Sequence, residues 1–448
     1  MLLLLTAILN PVFASESGGR IESNLRLGLS DCAESAGCEW LDLGDTAVVG
    51  FWTEHAFAGI QARGALDVRL HPAATLEVIE DSESIEAIQP FSLQLQDAWI
   101  DLPMGSNATT RWGVQQVSWG VADGVHVSDP ISPSNLENPW ELDSKLAVPA
   151  ISVQWGKSQW AIEGVFVPFH TEALLPSSGS AISVPTAELT EIEAFSANEL
   201  GNVQSRLNTP PPTLSESSGG LRFSLNAARS QLALTLYTGR DTLPQAHGEM
   251  LITGFQTDSD RVDFAVPLIY PRIQTAALDY RVELFADIST WVEFAVSNPQ
   301  RTALTVSSSQ MSALEQLGTI EAVPDPLPEY VTQDGDALTR WIAGLDRPFS
   351  RVHLSLQWMH GFPTERQQSE LSDYVLLYAR ATLNDVLAVT LQGLSDLEGH
   401  LISGALTYLH RDAAELSLSG AWAHAPDGHS LAYFSELSHI GLQAKMVF

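Results

Sequence analysis

Ile60-Gln61-Ala62-Arg63-Gly64-Ala65-Leu66-Asp67-Val68-Arg69-Leu70 alternates in a strict period of two. Ile60, Ala62, Gly64, Leu66, Val68 and Leu70 fall on one side, and Gln61, Arg63, Ala65, Asp67 and Arg69 on the other. In an extended chain successive side chains point to opposite faces, so this stretch is a strand with one apolar and one charged face. The same division recurs. Leu221, Phe223 and Leu225 oppose Arg222, Ser224 and Asn226, while Leu278, Tyr280, Val282 and Leu284 oppose Asp279, Arg281 and Glu283. Leu232, Leu234 and Leu236 alternate with Gln231, Ala233 and Thr235, and Val352, Leu354, Leu356 and Trp358 with Arg351, His353, Ser355 and Gln357. Noisier segments compatible with strands lie near 91–103, 110–119, 149–156, 158–167, 290–297, 337–346, 372–383, 386–395, 401–411, 415–424 and 431–448.

The connections follow a rhythm of their own. Tight turns at 156–158, 226–230, 287–290, 347–350, 384–385 and 412–414 alternate with long segments rich in Pro, Ser, Asp and Glu at 120–148, 168–218, 239–272, 298–336 and 360–371. A soluble β-sandwich has no reason to keep this rhythm, whereas a transmembrane barrel has short turns on one side and long loops on the other. The expected fold is therefore all-β: a transmembrane antiparallel β-barrel of about sixteen strands, within a range of roughly 14–18. Sixteen is the count from residue 58 onward, and dividing 20–56 into two strands gives eighteen. The last strand alternates Ile440, Leu442, Ala444 and Met446 with Gly441, Gln443, Lys445 and Val447, and the chain stops on Phe448. That ending resembles the terminal signal by which outer-membrane barrels are delivered to their assembly machinery.

Composition narrows the alternatives. The 448 residues include 22 Lys and Arg against 54 Asp and Glu, a formal charge of −32, with 45% hydrophobic residues and 17% charged. A mean hydropathy of +0.04 excludes a disordered acidic protein. Nucleic acid is excluded as a partner because phosphate binding needs a basic patch, and the only lysines are Lys145, Lys157 and Lys445. A helical membrane protein is excluded because no run past residue 14 approaches the roughly 20 apolar residues a bilayer demands. Residues 1–14 (MLLLLTAILNPVFA) have the apolar run and the small residues Val12 and Ala14 of a secretory signal, leaving 15–448 as a single barrel domain. A short buried N-terminal element is the rival interpretation. Cys32 and Cys38 enclose five residues and fit a small disulfide loop in an oxidising compartment, with two free thiols as the alternative.

Arg111-Trp112-Gly113-Val114-Gln115-Gln116-Val117-Ser118-Trp119-Gly120-Val121-Ala122-Asp123, continuing to Asp129-Pro130 and Asn135, resembles the RxGxQxxxWGxAD…D segment of porin-like outer-membrane proteins of proteobacteria. Val148-Pro149-Ala150, Val165 to Phe169 and Leu175-Pro176 continue the pattern, and Gly344 to Phe349 followed by Leu354 to Gln357 is similar to a later segment. The resemblance covers roughly 95–170 and 337–360. It implies a barrel in the outer membrane of a Gram-negative bacterium, set in lipid and lipopolysaccharide, that passes small solutes. It attaches no particular solute and leaves the oligomeric state open.

On that fold Arg63, Asp67, Arg69, Arg222, Asp279, Arg281, Glu283, Arg351 and His353 are expected to line the pore, ringing it with both charge signs. Inward salt bridges that stiffen the wall would look the same in sequence. The segment 120–148 carries Asp123, His126 and Asp129 among several acids, with prolines at 130, 133, 139 and 149. Folded inward it would form an acidic constriction; left outside it is a solvated loop. Acidic stretches at 188–199 and 315–336 suggest solubility more than a calcium site, and 187–200 has the pattern of a short amphipathic helix. No GxSxG, HExxH, Walker A or CxxC motif is present, so neither an enzyme nor a cofactor is expected. A barrel plugged by its own loops, serving structure or surface interaction without transport, is the competing expectation.

Overall fold

The computed structural model describes residues 14–28, 47–57, 59–70, 91–135, 143–174, 200–256, 261–285, 287–317, 323, 325, 327, 329–410, 413–426, 429, 431 and 438–448. Eighteen of the described strands form one antiparallel sheet. They are β1 (Ala14–Gly28), β2 (Ala47–Phe57), β3 (Ile60–Leu70), β4 (Phe91–Pro103), β5 (Ala108–Gln115) and β6 (Val148–Lys157). Next come β7 (Trp160–Val167), β8 (Ser218–Asn226), β9 (Ser230–Arg240), β10 (Arg272–Glu283), β11 (Ser289–Pro299) and β12 (Leu338–Pro348). The last are β13 (Val352–His360), β14 (Asp373–Asn384), β15 (Leu387–Ser395), β16 (His400–His410), β17 (Ala414–His424) and β18 (His439–Val447). Each strand pairs with its successor, and β1 pairs with β18 from Arg20↔Val447 to Gly28↔His439. Phe448 carries the seam one residue further: its N–H donates to the Gly19 carbonyl at 2.9 Å, and the Gly19 N–H donates back at 2.7 Å. The ladder therefore has no free edge, the condition for a sheet to sit in hydrocarbon.

The count of eighteen is the upper end of the expected range rather than its central sixteen, and the two strands beyond sixteen are β1 and β2, within the segment whose division gives eighteen. The outward row of β1 passes through Ser17, Gly19, Ile21, Ser23 and Leu25, which is too sparsely apolar to show a period. Phe448 supplies what Gly19 lacks, since a Cβ on Gly19 would stand 2.6 Å from the phenyl ring. The expected strand at 110–119 is also shorter, ending at Gln115 where the chain turns inward. Residues 1–13 of the expected signal, both cysteines and the 187–199 part of the expected helix lie outside the described residues.

The wall is inside-out relative to a soluble protein. On β3, Leu66 is 37% exposed while Asp67 is 3% exposed. The same inversion holds on β9 and β10, where Leu234 and Leu278 face out and Ala233, Thr235, Ala277 and Asp279 are buried. Aromatic side chains gather at both rims. Trp155 and Trp160 stack edge-on at 4.8 Å beside the tight turns, and Trp341 and Trp358 at 4.9 Å near the longer connections. This is the distribution of a wall that meets lipid between two watery interfaces.

The lumen is not polar throughout. Ile342, Met359, Tyr374, Leu376, Leu394 and Leu401 point inward in the halves of β12–β16 that bear the longer connections, and with Trp291 near the tight-turn end of β11 they form an apolar cluster with Ala122, Val125, Phe362 and Leu431. This corrects the expectation that the inner face is simply charged and wet. A second apolar core lies outside the wall. Residues 200–207 run parallel to 261–269, which pair with 251–256, and the segments 302–305 and 329–333 flank helix α1 (Ser308–Leu317). Val262, Phe264, Val266, Leu268, Leu304 and Met311 fill this small subdomain, built from the connections that precede β8 and follow β9 and β11.

Candidate functional site

The site begins where β5 ends. Gly113 has φ +126°, and a Cβ there would lie 2.1 Å from the Ala98 carbonyl oxygen, so only glycine admits this approach of β5 to β4. Beyond Gln115 the chain enters the barrel, burying Val117, Trp119, Val125, Ser128 and Ile131. Trp119 lies against the wall where Gly220 has no side chain; a Cβ there would come within 2.7 Å of the indole.

One wall residue holds this loop. Glu293, on the inward row of β11 and fully buried, accepts N–H groups from Val121 at 2.6 Å and Ala122 at 2.7 Å through Oε1. Its Oε2 accepts those of Val127 at 3.0 Å and Ser128 at 3.2 Å, and His126 Nδ1 lies 3.2 Å from Oε1. Five donors thus converge on one carboxylate, and hydrogen bonds to an ionised acceptor are about twice as strong as neutral ones. Gly120, with φ +124°, makes the wrap possible: a Cβ there would meet Glu293 Oε1 at 2.7 Å. Glu293 did not emerge from the sequence. Its only signal was an acid on the inward row between Trp291 and Ala295, in a segment with noisy alternation.

The three acidic-loop residues occupy different surroundings. Asp123 keeps an accessible side chain yet is partly desolvated inside the barrel, and the charged groups acting on it are Asp346, His353, Arg281 and His126. Burial and the Asp346 carboxylate push its pKa up, with His353 and Arg281 opposing. His126 belongs to the Glu293 wrap. Asp129 is buried beside Lys145, whose Nζ lies 3.3 Å from Oδ2 and donates to the Asp129 carbonyl at 3.2 Å. Burial pushes the Asp129 carboxyl up while Lys145 pulls it down.

Seven of the nine expected pore residues fall into three groups, and two stand apart. On β3, Asp67 is buried and receives Arg20 at 2.6 Å and Gln96 at 2.8 Å, while Arg63 lies 3.3 Å from Asp97 and 3.7 Å from Glu54. Arg69 lies on the same inward row. On β8 and β10, Arg222 and Asp279 pair at 2.7 Å, both buried in the wall facing the loop. Around Asp123 gather Arg281 and His353, the latter 3.7 Å from Asp346. Glu283 and Arg351 stand apart, exposed at the tight-turn rim, with Arg351 donating to the Leu383 carbonyl at 3.3 Å.

A polar void of about 350 Å³ remains along β14–β18, lined by Arg380, Thr390, Gln392, Ser403, Thr407 and Ser417 among others. A Ser–His pair does occur, at Ser395 Oγ and His400 Nδ1, 2.7 Å apart. Ser395 Oγ also lies 2.6 Å from the Asp396 carbonyl oxygen, an acceptor that competes with the imidazole for its proton.

A closed antiparallel barrel with an outward apolar wall and a loop latched inside has the architecture of outer-membrane porins. Acinetobacter baumannii OccAB1 superposes with a TM-score of 0.51 at 8% identity, covering 97% of this chain and 96% of that one. OccAB4 of the same organism gives 0.51 at 7% identity over 97% and 98%, and the anion-selective porin of Comamonas acidovorans 0.40 at 10% over 97% and 100%. At these identities the likeness is one of fold. No family model matches the sequence, and no curated protein matches it.

Proposed function

We propose that the protein is an outer-membrane channel for passive diffusion of small hydrophilic solutes. The observation that carries this is the loop at 116–135, held within the bore by Glu293, which brings Asp123 under the influence of wall charges of both signs, Asp346, His353 and Arg281, while a polar void stays open along β14–β18. Opposed charges across a narrowing select permeants by sign and size. Equilibrium permeation needs neither nucleophile nor cofactor, and none is assigned. In this orientation the tight turns, the start of β1 and the end of β18 face the periplasm and the subdomain faces outward. Residues 1–14 act as the export signal, and Phe448 serves recognition by the assembly machinery.

Purified protein in a planar bilayer is expected to give stepwise conductance. A silent membrane overturns the proposal in favour of a loop-plugged barrel that serves structure or surface interaction. That second interpretation draws on the apolar cluster inside the lumen, which closes part of the bore.

A further inference from the structure

The outer wall carries a groove of about 880 Å³ across β6–β11, toward the ends that bear the longer connections. Its floor is made of small residues, Gly164, Gly219 and Ala276, and its sides of Phe166, Leu221 and Leu236, which are 44%, 58% and 50% exposed. Register aligns them in two adjacent rows, with Gly164↔Leu221, Leu221↔Leu236 and Leu236↔Ala276 in one and Phe166↔Gly219 in the other. The floor cannot be raised cheaply: a Cβ on Gly219 would lie 3.0 Å from the Val165 carbonyl oxygen, and one on Gly164 3.3 Å from Leu221.

Toward the rim the groove turns polar. Gly219 is opposite Thr238, Thr238 is opposite Gln274, and two residues further Arg240 is opposite Arg272. Both arginines share one carboxylate: Glu216 Oε2 receives Arg240 Nε at 2.5 Å and Arg272 Nη2 at 3.2 Å. Arg240 is further spent on the Tyr270 carbonyl at 2.5 Å, and the neighbouring Asp241 is taken by Arg366 at 2.5 Å. Arg272 also donates to the Ser215 carbonyl at 2.6 Å, but these bonds use Nη2 alone, and the side chain is 48% exposed. Two guanidiniums against one carboxylate leave a net positive rim directly above an apolar trough.

We propose that this groove is a binding site for a phosphorylated, multiply acylated glycolipid of the outer leaflet, its acyl chain lying over Gly219 and Ala276 and its phosphate on Arg272. The proposal rests on the membrane orientation given above. Four residues of strand from Ala276 to Arg272 span about 13 Å, so one lipid reaches both ends. Guanidinium is the side chain suited to a phosphate at a membrane interface.

The test uses the full chain in dodecyl maltoside, incubated with diphosphoryl lipid A and read by native mass spectrometry. Heat-modifiable migration confirms that each variant is folded. One retained lipid per chain is expected. Arg272→Gln is expected to weaken its retention roughly tenfold. Ala276→Phe is expected to abolish retention by filling the trough, and Arg347→Gln, on the outer face at the tight-turn end, to leave it unchanged. Equal retention by Arg272→Gln and wild type overturns the site, as does phosphatidylglycerol held as strongly as lipid A. An Ala276→Phe chain that keeps the lipid but changes oligomeric mass in light scattering shows the groove to be an interface between copies, which also overturns it. Conductance in all these variants should match wild type; a silent wild-type bilayer tells against the channel and leaves the lipid result standing.

Discussion

Replacing Glu293 by Gln keeps the shape of the side chain while removing its charge and half its accepting capacity. The amide nitrogen costs least in place of Oε2, where it faces the Val127 and Ser128 N–H groups and turns two hydrogen bonds into donor–donor contacts, because Oε1 serves three partners, Val121, Ala122 and His126. Losing two charge-assisted bonds costs about 2 kcal/mol each, and converting the other three to neutral bonds costs about 1 kcal/mol each. Bonds to one carboxylate are not additive, and halving the sum of about 7 leaves about 3–4 kcal/mol of loop docking. That shifts the docked-to-released ratio by a factor on the order of 10² to 10³. Trp119 and the Asp129–Lys145 pair still hold the flanks, so the centre of the loop is released rather than the whole. Single-channel recordings should show raised conductance and open-channel noise, and hydrogen exchange at 120–128 should accelerate by a similar factor. Unchanged conductance together with unchanged exchange would refute the latch.

Gly120→Ala, which places a methyl against the same carboxylate at φ +124°, should reproduce the Glu293→Gln noise; a quiet channel would show that the wrap tolerates a side chain. Asp123→Asn should lower cation preference, read as a smaller reversal potential in a salt gradient, and Asp129→Asn should leave selectivity near wild type because that carboxylate is buried. Burial and Asp346 raise the Asp123 pKa, so cation preference should fall with acidification at a higher pH than an ordinary carboxylate would give, and Asp123→Asn should abolish that step. Burial, aided by Arg240, lowers the His170 pKa to about 4. The unfolded chain then takes up the proton first, so stability should decline as pH falls from about 6.5 toward 4 and level off below. Thermal melts of His170→Gln should lack this component.

The strand pattern was legible wherever one row was consistently apolar, as on β3, β10 and β13. There lipid outside and paired charge inside impose the same period on every residue. β1 could be placed only by dividing 20–56, without a period of its own, because its outward row borrows Phe448 from the far end of the chain, a contact no local period reveals. The inserted loop could be suspected from its prolines and acids, but its anchor could not. Glu293 lies more than 160 residues away and matters only through backbone N–H groups, which carry no sequence signature. The external subdomain was equally hidden, because its core is assembled from three separate connections, none apolar enough alone to announce a fold.

The two kinds of inner surface constrain where solute can travel. The apolar cluster draws its wall residues from β11 to β17, and no residue of β1–β7 belongs to it. On those first strands the inward positions include Arg20, Glu54, Arg63, Asp67, Asp97 and Asp101, each joined to a partner of opposite sign. Hydroxyl-bearing Thr390, Ser403, Thr407 and Ser417 occupy β15–β17 below the apolar ends. Water follows charge and hydroxyl, so on the proposed channel reading a solute path would run off-axis, past the charged inner face of β1–β5 and toward the polar void along β14–β18. An eighteen-strand bore leaves room for such a bypass. The loop's own charge, Asp123, feels the wall charges Asp346, His353 and Arg281, so on the proposed channel reading selectivity should depend on how firmly Glu293 holds the loop.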